Sequence, residues 1–211
     1  MRRNLSLRLS RRLSCWRILM PEKEKNPLWR WVVLHVVVIA ALAGGLLALT
    51  RYKTDTHTDG VRQIYIVRHA EKLTGPEAGR NPDLSTEGKA RAKTLAALLQ
   101  NKHITHIYSS DTIRTRDTAA PLSDMTGIRV QIYDPRHLDA LATRIKAEKG
   151  NSLIVGHSNT IRETVLALGG QVEDAPIDEA SEYDRLYRVD LRKDGTVKTH
   201  LRRYGKRYAP H

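Results

Sequence analysis

A three-layer α/β/α sandwich, with a mostly parallel central sheet and a C-terminal antiparallel hairpin, is the fold class this sequence predicts. Strand-like and helix-like segments alternate after about residue 60, the pattern of a layered α/β sheet. Two short apolar runs, Ile64-Tyr65-Ile66-Val67 and Ser152-Leu153-Ile154-Val155, read as buried strands. The last segments, Leu186 to Leu191 and Val197 to Arg203, flank the turn Lys193-Asp194-Gly195. They read as the hairpin.

In chain order, the first strand is placed at about Gln63 to Val67. A helix follows from about Thr86 to Leu99, with Ser85 as N-cap and Glu87 in its first turn. Its apolar positions Ala92, Leu95, Leu98 and Leu99 recur at helical spacing and make one buried face. Next come a strand near His106 to Tyr108, a helix from about Thr112 to Leu122 and a strand near Val130 to Tyr133. A helix from about Leu138 to Ala147 leads to the strand Ser152 to Val155. The helix after His157 runs to about Leu168, where Gly169-Gly170 gives a C-terminal stop signal. No internal repeat is visible.

The chain has 211 residues and a formal charge of +13. Nine Lys/Arg against two Glu fall in residues 1–30, so over half of the excess sits in the leader. The part after residue 50 is mildly basic and has tyrosine as its sole aromatic, which leaves no obvious platform for stacking bases. Nucleic acid is therefore not expected as a partner. The basic excess suits an anionic small molecule. The lone Cys15 excludes an internal disulfide and a cysteine-based zinc cluster. The core must be aliphatic, because Phe is absent and Trp16, Trp29 and Trp31 all lie near the amino terminus.

Trp31 to Leu49 is apolar apart from His35. As a helix it is roughly 28 Å long, close to the ~30 Å hydrocarbon core of a bilayer. Trp29, Arg30 and Trp31 mark one interface, and Arg51, Tyr52 and Lys53 the other. The expected organisation is a basic cytosolic leader (1–30), a transmembrane anchor (31–49), a linker (50–61), a catalytic domain (62–205) and a tail (206–211). The excess of Lys/Arg on the amino side keeps that end in the cytosol. The domain is then exported, to the periplasm if the membrane is the inner membrane of a diderm bacterium. Residues 1–20 are Arg- and Ser-rich without acids, so a mitochondrial membrane is the alternative, and Met20 offers a second start.

Two histidines follow the two buried strands: Arg68-His69-Ala70-Glu71 and Gly156-His157-Ser158-Asn159-Thr160. In an open α/β sheet, ligands bind outside the carboxyl ends of the strands. A third strand end, Ser109-Ser110-Asp111-Thr112-Ile113-Arg114-Thr115, starts a helix and holds Arg114 near the same edge. Two guanidinium groups and two imidazoles can thus converge. Arginine's planar fork suits phosphate oxygens, so a phosphoryl group is the expected ligand. The other histidines of the domain and its flanks (His57, His103, His106, His137, His200, His211) lack the spacing of metal ligands.

These segments resemble the histidine phosphatase superfamily, also called the phosphoglycerate-mutase-like proteins. Arg68-His69-Ala70-Glu71 matches its Arg-His signature, and residues 109–115 look like its Ser-Ser-x-x-x-Arg-Thr/Ala segment. Gly156-His157-Ser158-Asn159-Thr160 is similar to its second-histidine motif. Pro82-Asp83-Leu84-Ser85-Thr86-Glu87-Gly88 resembles its Pro-Leu-Ser/Thr-x-x-Gly stretch with one residue inserted. The likeness covers about residues 62–205. Each motif alone is weak, and four in the family's order are strong.

The resemblance implies an enzyme that uses neither metal nor other cofactor. His69 is the implied nucleophile, forming a phosphohistidine that water hydrolyses. Arg68, Arg114 and His157 would bind the phosphoryl oxygens, with Glu71 and Asn159 as further substrate contacts. A leaving alkoxide also needs a proton donor. Here the sequence departs from the better-known members, because residues 131–138 are compact where the donor and an insertion usually lie. Asp134 is the first candidate, with Glu71 and Asp83 as rivals. A turn role before Pro135 is the plainer reading of Asp134.

The leading expectation is a membrane-anchored phosphatase acting on a phosphorylated small molecule, with envelope sugars as one class. A phosphohistidine protein phosphatase is the enzymatic alternative, and a phosphate-binding scaffold without catalysis the other. A metabolic mutase is disfavoured on size and on the anchor.

Overall fold

Aliphatic residues in unbroken succession can be buried only in a strand covered on both sides, and the centre of the sheet is built from such runs. The computed structural model describes residues 31, 35 and 60–208. Six strands form one sheet: β1 (Val61–Arg68), β2 (Ile104–Ser110), β3 (Val130–Tyr133), β4 (Asn151–Gly156), β5 (Arg185–Arg192) and β6 (Val197–Arg203). Four helices connect them: α1 (Thr86–Leu99), α2 (Ile113–Thr126), α3 (Leu138–Ala147) and α4 (Ile161–Ala167). The strand order is β3-β2-β4-β1-β5-β6. β1, β2, β3 and β4 run parallel, whereas β5 and β6 form the antiparallel hairpin. The fold class predicted above is the one observed.

Period-two alternation sends successive residues to opposite layers. Ile64, Ile66 and Ile154 pack with Leu141 and Ile145 of α3 and with Ile161 and Val165 of α4. Tyr65, Val67, Leu153 and Val155 pack instead with Leu95 and Leu99 of α1 and Ala119 and Leu122 of α2. Ile104 and Ile107 of β2 share that second layer in spite of their odd spacing. A register shift between Ile104 and His106 accounts for it.

Several boundaries follow from local chemistry. Ser85 caps α1, its Oγ accepting from the Gly88 amide at 3.2 Å. α2 runs four residues beyond the predicted end, through Pro121, and stops at Gly127 in the left-handed conformation. Its first turn is capped from another loop: the Ile113 amide donates to Asn81 Oδ1 at 3.0 Å. Both domain edges move outward. Val61 already belongs to β1, and the Tyr208 amide donates to Asp184 Oδ2 at 2.9 Å, so the start of the expected tail packs on the domain.

The leader, the predicted span and the linker lie outside the described residues, apart from Trp31, His35 and Gly60 onward. Trp31 and His35 are helical and exposed, with His35 Nδ1 2.7 Å from the Trp31 carbonyl oxygen. Among the described residues, no helix is long and apolar enough to cross a membrane.

Candidate active site

Sheet register alone brings the two histidines together. In the parallel pair of β1 and β4, Arg68 lies opposite Gly156, so the next residue on each strand is a histidine. The His69 amide donates to the Gly156 carbonyl at 2.9 Å and locks this alignment. β2 continues it, with Ser109 opposite Val155. Gly156 must be glycine, since a Cβ there would lie 2.8 Å from Thr160 Oγ1 and 2.9 Å from the Tyr133 hydroxyl.

His69 is 3% exposed. Its Nδ1 lies 2.8 Å from the Ala70 carbonyl oxygen. A carbonyl can only accept, so Nδ1 carries the hydrogen and Nε2 keeps its lone pair. Burial holds the imidazolium form down, with a pKa lowered to about 3; the Ala70 carbonyl works against this, and Arg68, Arg114 and His157 reinforce it. Desolvation thus contributes more than the neighbouring cations. A buried, neutral imidazole with a free nitrogen is a nucleophile at neutral pH.

The His157 ring centroid is 5.5 Å from that of His69. Its Nε2 is 2.8 Å from Ser110 Oγ and its Nδ1 is 3.5 Å from Arg114 Nη2. Burial and then Arg114 and Arg68 lower its pKa to about 4, against a raising effect of Glu179. Arg68 is 2% exposed. Its Nη1 and Nη2 donate to the main-chain carbonyls of Glu182 and Glu179 at 3.1 and 2.7 Å. The expected phosphate-facing fork of Arg68 is therefore occupied by a loop. Its Nε is buried without a partner, and so is Nε of Arg114. Two buried N–H donors without acceptors beside two imidazoles make an anion-seeking site.

The other expected site residues have partners of their own or are exposed. Both carboxylate oxygens of Glu71 accept from Arg91 Nε, at 3.0 and 2.9 Å, and Arg91 Nη2 adds a bond of 2.8 Å. Glu71, expected as a substrate contact, is thus engaged in an ion pair with Arg91. Asn159 is exposed in the loop before α4. Asp83 is exposed, and its main-chain carbonyl accepts from the Leu73 amide.

Asp134, the expected proton donor, is held in an ion pair. Its carboxylate accepts from Arg136 Nε and Nη2 and from the Arg136 amide, and lies 3.1 Å from His137 Nδ1. The Arg136 side chain and amide, then His137, hold it well below the usual carboxylate range. It is ionised at neutral pH and has no proton to give.

Sequence reasoning missed Tyr183, whose ring centroid is 5.9 Å from that of His69 and 4.1 Å from the Arg68 guanidinium carbon. It lies in the irregular segment before β5, where no periodicity signals a site. Ser110 was visible as part of the Ser-Ser-Asp cluster, and its bond to His157 gives that cluster a second purpose. Thr118 also contributes, its Oγ1 accepting from the Ala70 amide at 2.9 Å and donating to the Arg114 carbonyl at 2.7 Å. It ties the loop after β1 to the helix that carries Arg114.

Residues 64–136 match the family model of the histidine phosphatase superfamily (branch 1). The probable phosphoglycerate mutase GpmB of Yersinia pestis (strain Pestoides F) is 38% identical over 78 residues. Both make this part of the chain similar to the histidine phosphatase superfamily. The match to that relative spans 35% of this chain and 36% of the relative, about a third of each. Solved histidine phosphatases share the fold. The protein histidine phosphatase SixA complexed with tungstate superposes with TM-score 0.54 at 17% identity, covering 67% of this chain and 96% of that one. A mycobacterial glucosyl-3-phosphoglycerate phosphatase gives TM-score 0.52 at 15% identity, over 68% and 98%.

Proposed function

We propose that this chain is a phosphatase that hydrolyses a phosphomonoester through a covalent phosphohistidine at His69. The observation that carries the reading is His69 itself, buried and neutral, with Nδ1 engaged by Ala70 and Nε2 free. Around it stand His157 and the unpartnered Nε atoms of Arg68 and Arg114. In the first step Nε2 attacks phosphorus as the ester P–O bond breaks. In the second, water attacks phosphorus and the P–N bond breaks, which returns His69 and releases phosphate. One difficult displacement becomes two easier ones. The fixed N–H donors meet charge on the phosphoryl oxygens as it develops.

The proposal extends to place and substrate. An apolar run at residues 31–49 and the basic leader before it support a retained anchor, with the domain exported from the cytosol. A phosphorylated envelope sugar is the substrate class that such a location favours. A phosphohistidine protein phosphatase is the second reading, and the ion-paired state of Asp134 favours it, because a site without a carboxylic acid suits a good leaving group.

The test is turnover by the detergent-solubilised full-length chain of an alkyl phosphate, an aryl phosphate and a phosphohistidine peptide. Phosphate release should vanish in His69→Ala, and Arg114→Ala should lose about 10²–10³-fold. Brief turnover with radiolabelled substrate should leave acid-labile, base-stable label on the wild type only. Equal release by wild type and His69→Ala removes the enzyme reading. A strong preference for the phosphohistidine peptide selects the second reading over the first.

A further inference from the structure

We propose that the Tyr183 phenol is the proton donor to the leaving-group oxygen in this pocket, a role that rests on the phosphatase reading of His69. A donor must reach the reacting centre, be held there and arrive carrying its proton. Asp134 fails the last condition, and Glu71 is consumed by Arg91. Its ring lies beside His69 on one side and against Arg68 on the other, which brings Tyr183 to the edge of the reacting centre.

The second condition is met by its neighbours in the chain. Glu182 and Asp184, on either side of Tyr183, are 2% and 1% exposed. Arg185 donates to both oxygens of Glu182 at 2.6 and 2.8 Å, and Arg203 Nη1 bonds Glu182 and Asp184 at 2.6 Å each. Arg68 clamps the same segment through the carbonyls of Glu179 and Glu182. Tyr183 is thus fixed from both ends and is itself 7% exposed. A phenol carries one O–H to donate, which an ionised carboxylate lacks. The cations that face it are the guanidinium groups of Arg68 in β1 and Arg114 in α2, and the neutral His69 ring lies beside it. The other acids on this segment with influence at the site are Glu179, which is exposed and acts on Arg68 and His157, and Asp178, which acts on Arg68.

The steps balance. As His69 Nε2 bonds to phosphorus and the P–O bond breaks, the electron pair goes to the leaving oxygen, which takes the Tyr183 proton and departs as an alcohol. The tyrosinate is left beside two guanidinium groups, which offset its charge. The water that attacks the phosphohistidine gives its proton to the tyrosinate, and Tyr183 is restored.

The experiment compares wild type with Tyr183→Phe and Glu179→Gln in the full-length chain, using phosphate esters whose leaving groups run from nitrophenol to a simple alcohol. Tyr183→Phe should lose about 10²-fold or more for the alkyl ester, with a loss that shrinks steadily as the leaving group becomes more acidic. An equal loss on every ester overturns the proposal, since that marks a packing or phosphate-binding role. A graded loss in Glu179→Gln, or none in Tyr183→Phe, overturns it as well. 3-Fluorotyrosine placed at position 183 preserves shape and makes the phenol more acidic. The basic limb of kcat for the alkyl ester should then move to lower pH, and an unmoved limb counts against donation. A wild type without activity on any ester refutes the phosphatase reading instead, a result distinct from all of these.

Discussion

The rings of His69 and His157 stand 5.5 Å apart and are inclined by 66°, edge toward face. Both are withdrawn from water beside two arginines, and their pKa values lie near 3 and 4. The unfolded chain returns both to the ordinary histidine value near 6.5. Between about pH 6.5 and 4 it therefore binds more protons than the folded chain. This contribution to stability is whole above pH 6.5 and is lost as pH falls toward the folded values, at ~1.4 kcal/mol per pH unit for each excess proton. Urea unfolding at steps from pH 7.5 to 5 should show the decline, and His157→Asn should flatten it. Carboxylates act mostly below this window, so a wild-type profile that is level from pH 7.5 to 5 contradicts the assignment.

A second prediction concerns Asp134, which the strand-end position made the first candidate for the acid. Its carboxylate is tied to Arg136 and His137 at the turn before α3. Loss of a working general acid costs about 10²–10⁴-fold. Asp134→Asn should instead keep kcat for an alkyl phosphate within about twofold of wild type, far from the loss of a general acid. A graded loss that tracks leaving-group acidity would return Asp134 to the mechanism.

How much of this was legible in the sequence follows from range. β3 and α3 were placed at their observed bounds because periodicity and turn residues are local signals. The meeting of the two histidines was legible because each directly follows a strand end, with Arg114 in the first turn of the helix after a third strand, and parallel register does the rest. The fates of Arg68 and Glu71 were not, because their partners lie far along the chain: Glu182 for one, Arg91 for the other. Tyr183 was hidden for the same reason. Its position depends on Arg185 and Arg203, which bind the acids at either side of it.

The pairing of Glu71 with Arg91 makes a third prediction. Arg91 is 6% exposed, and it also donates to the main-chain carbonyls of Tyr204 and Lys206 at 2.7 and 2.8 Å. It joins the loop after β1 to the segment after β6. Removing one partner of a buried pair leaves the other charge uncompensated, which costs about 3–5 kcal/mol. Glu71→Ala should therefore lower unfolding free energy by about 3 kcal/mol, and adding Arg91→Met should recover part of that loss. A Glu71→Ala protein as stable as wild type would show that the pair contributes nothing.

Gly88 carries the last prediction, and it turns a family-like motif into a packing statement. The residue lies in the first turn of α1, where alanine would ordinarily improve helix propensity by about 1 kcal/mol. Here the turn docks against the loop after β1: the Ser85 amide donates to the Glu71 carbonyl at 2.9 Å, and Lys72 pairs with Leu84. A Cβ on Gly88 would stand 2.0 Å from the Glu71 carbonyl oxygen. That atom is main chain, one peptide from Ala70, so it cannot swing aside without moving the loop that follows His69. Overpacking of this kind costs about 1–3 kcal/mol, enough to cancel the gain in propensity. Gly88→Ala should thus destabilise the protein and also slow turnover, because the displaced loop holds the Ala70 carbonyl that fixes the His69 tautomer. Thermal melting and kcat measured on the same preparation check both parts; a variant more stable than wild type would show that the two segments do not meet as closely as this.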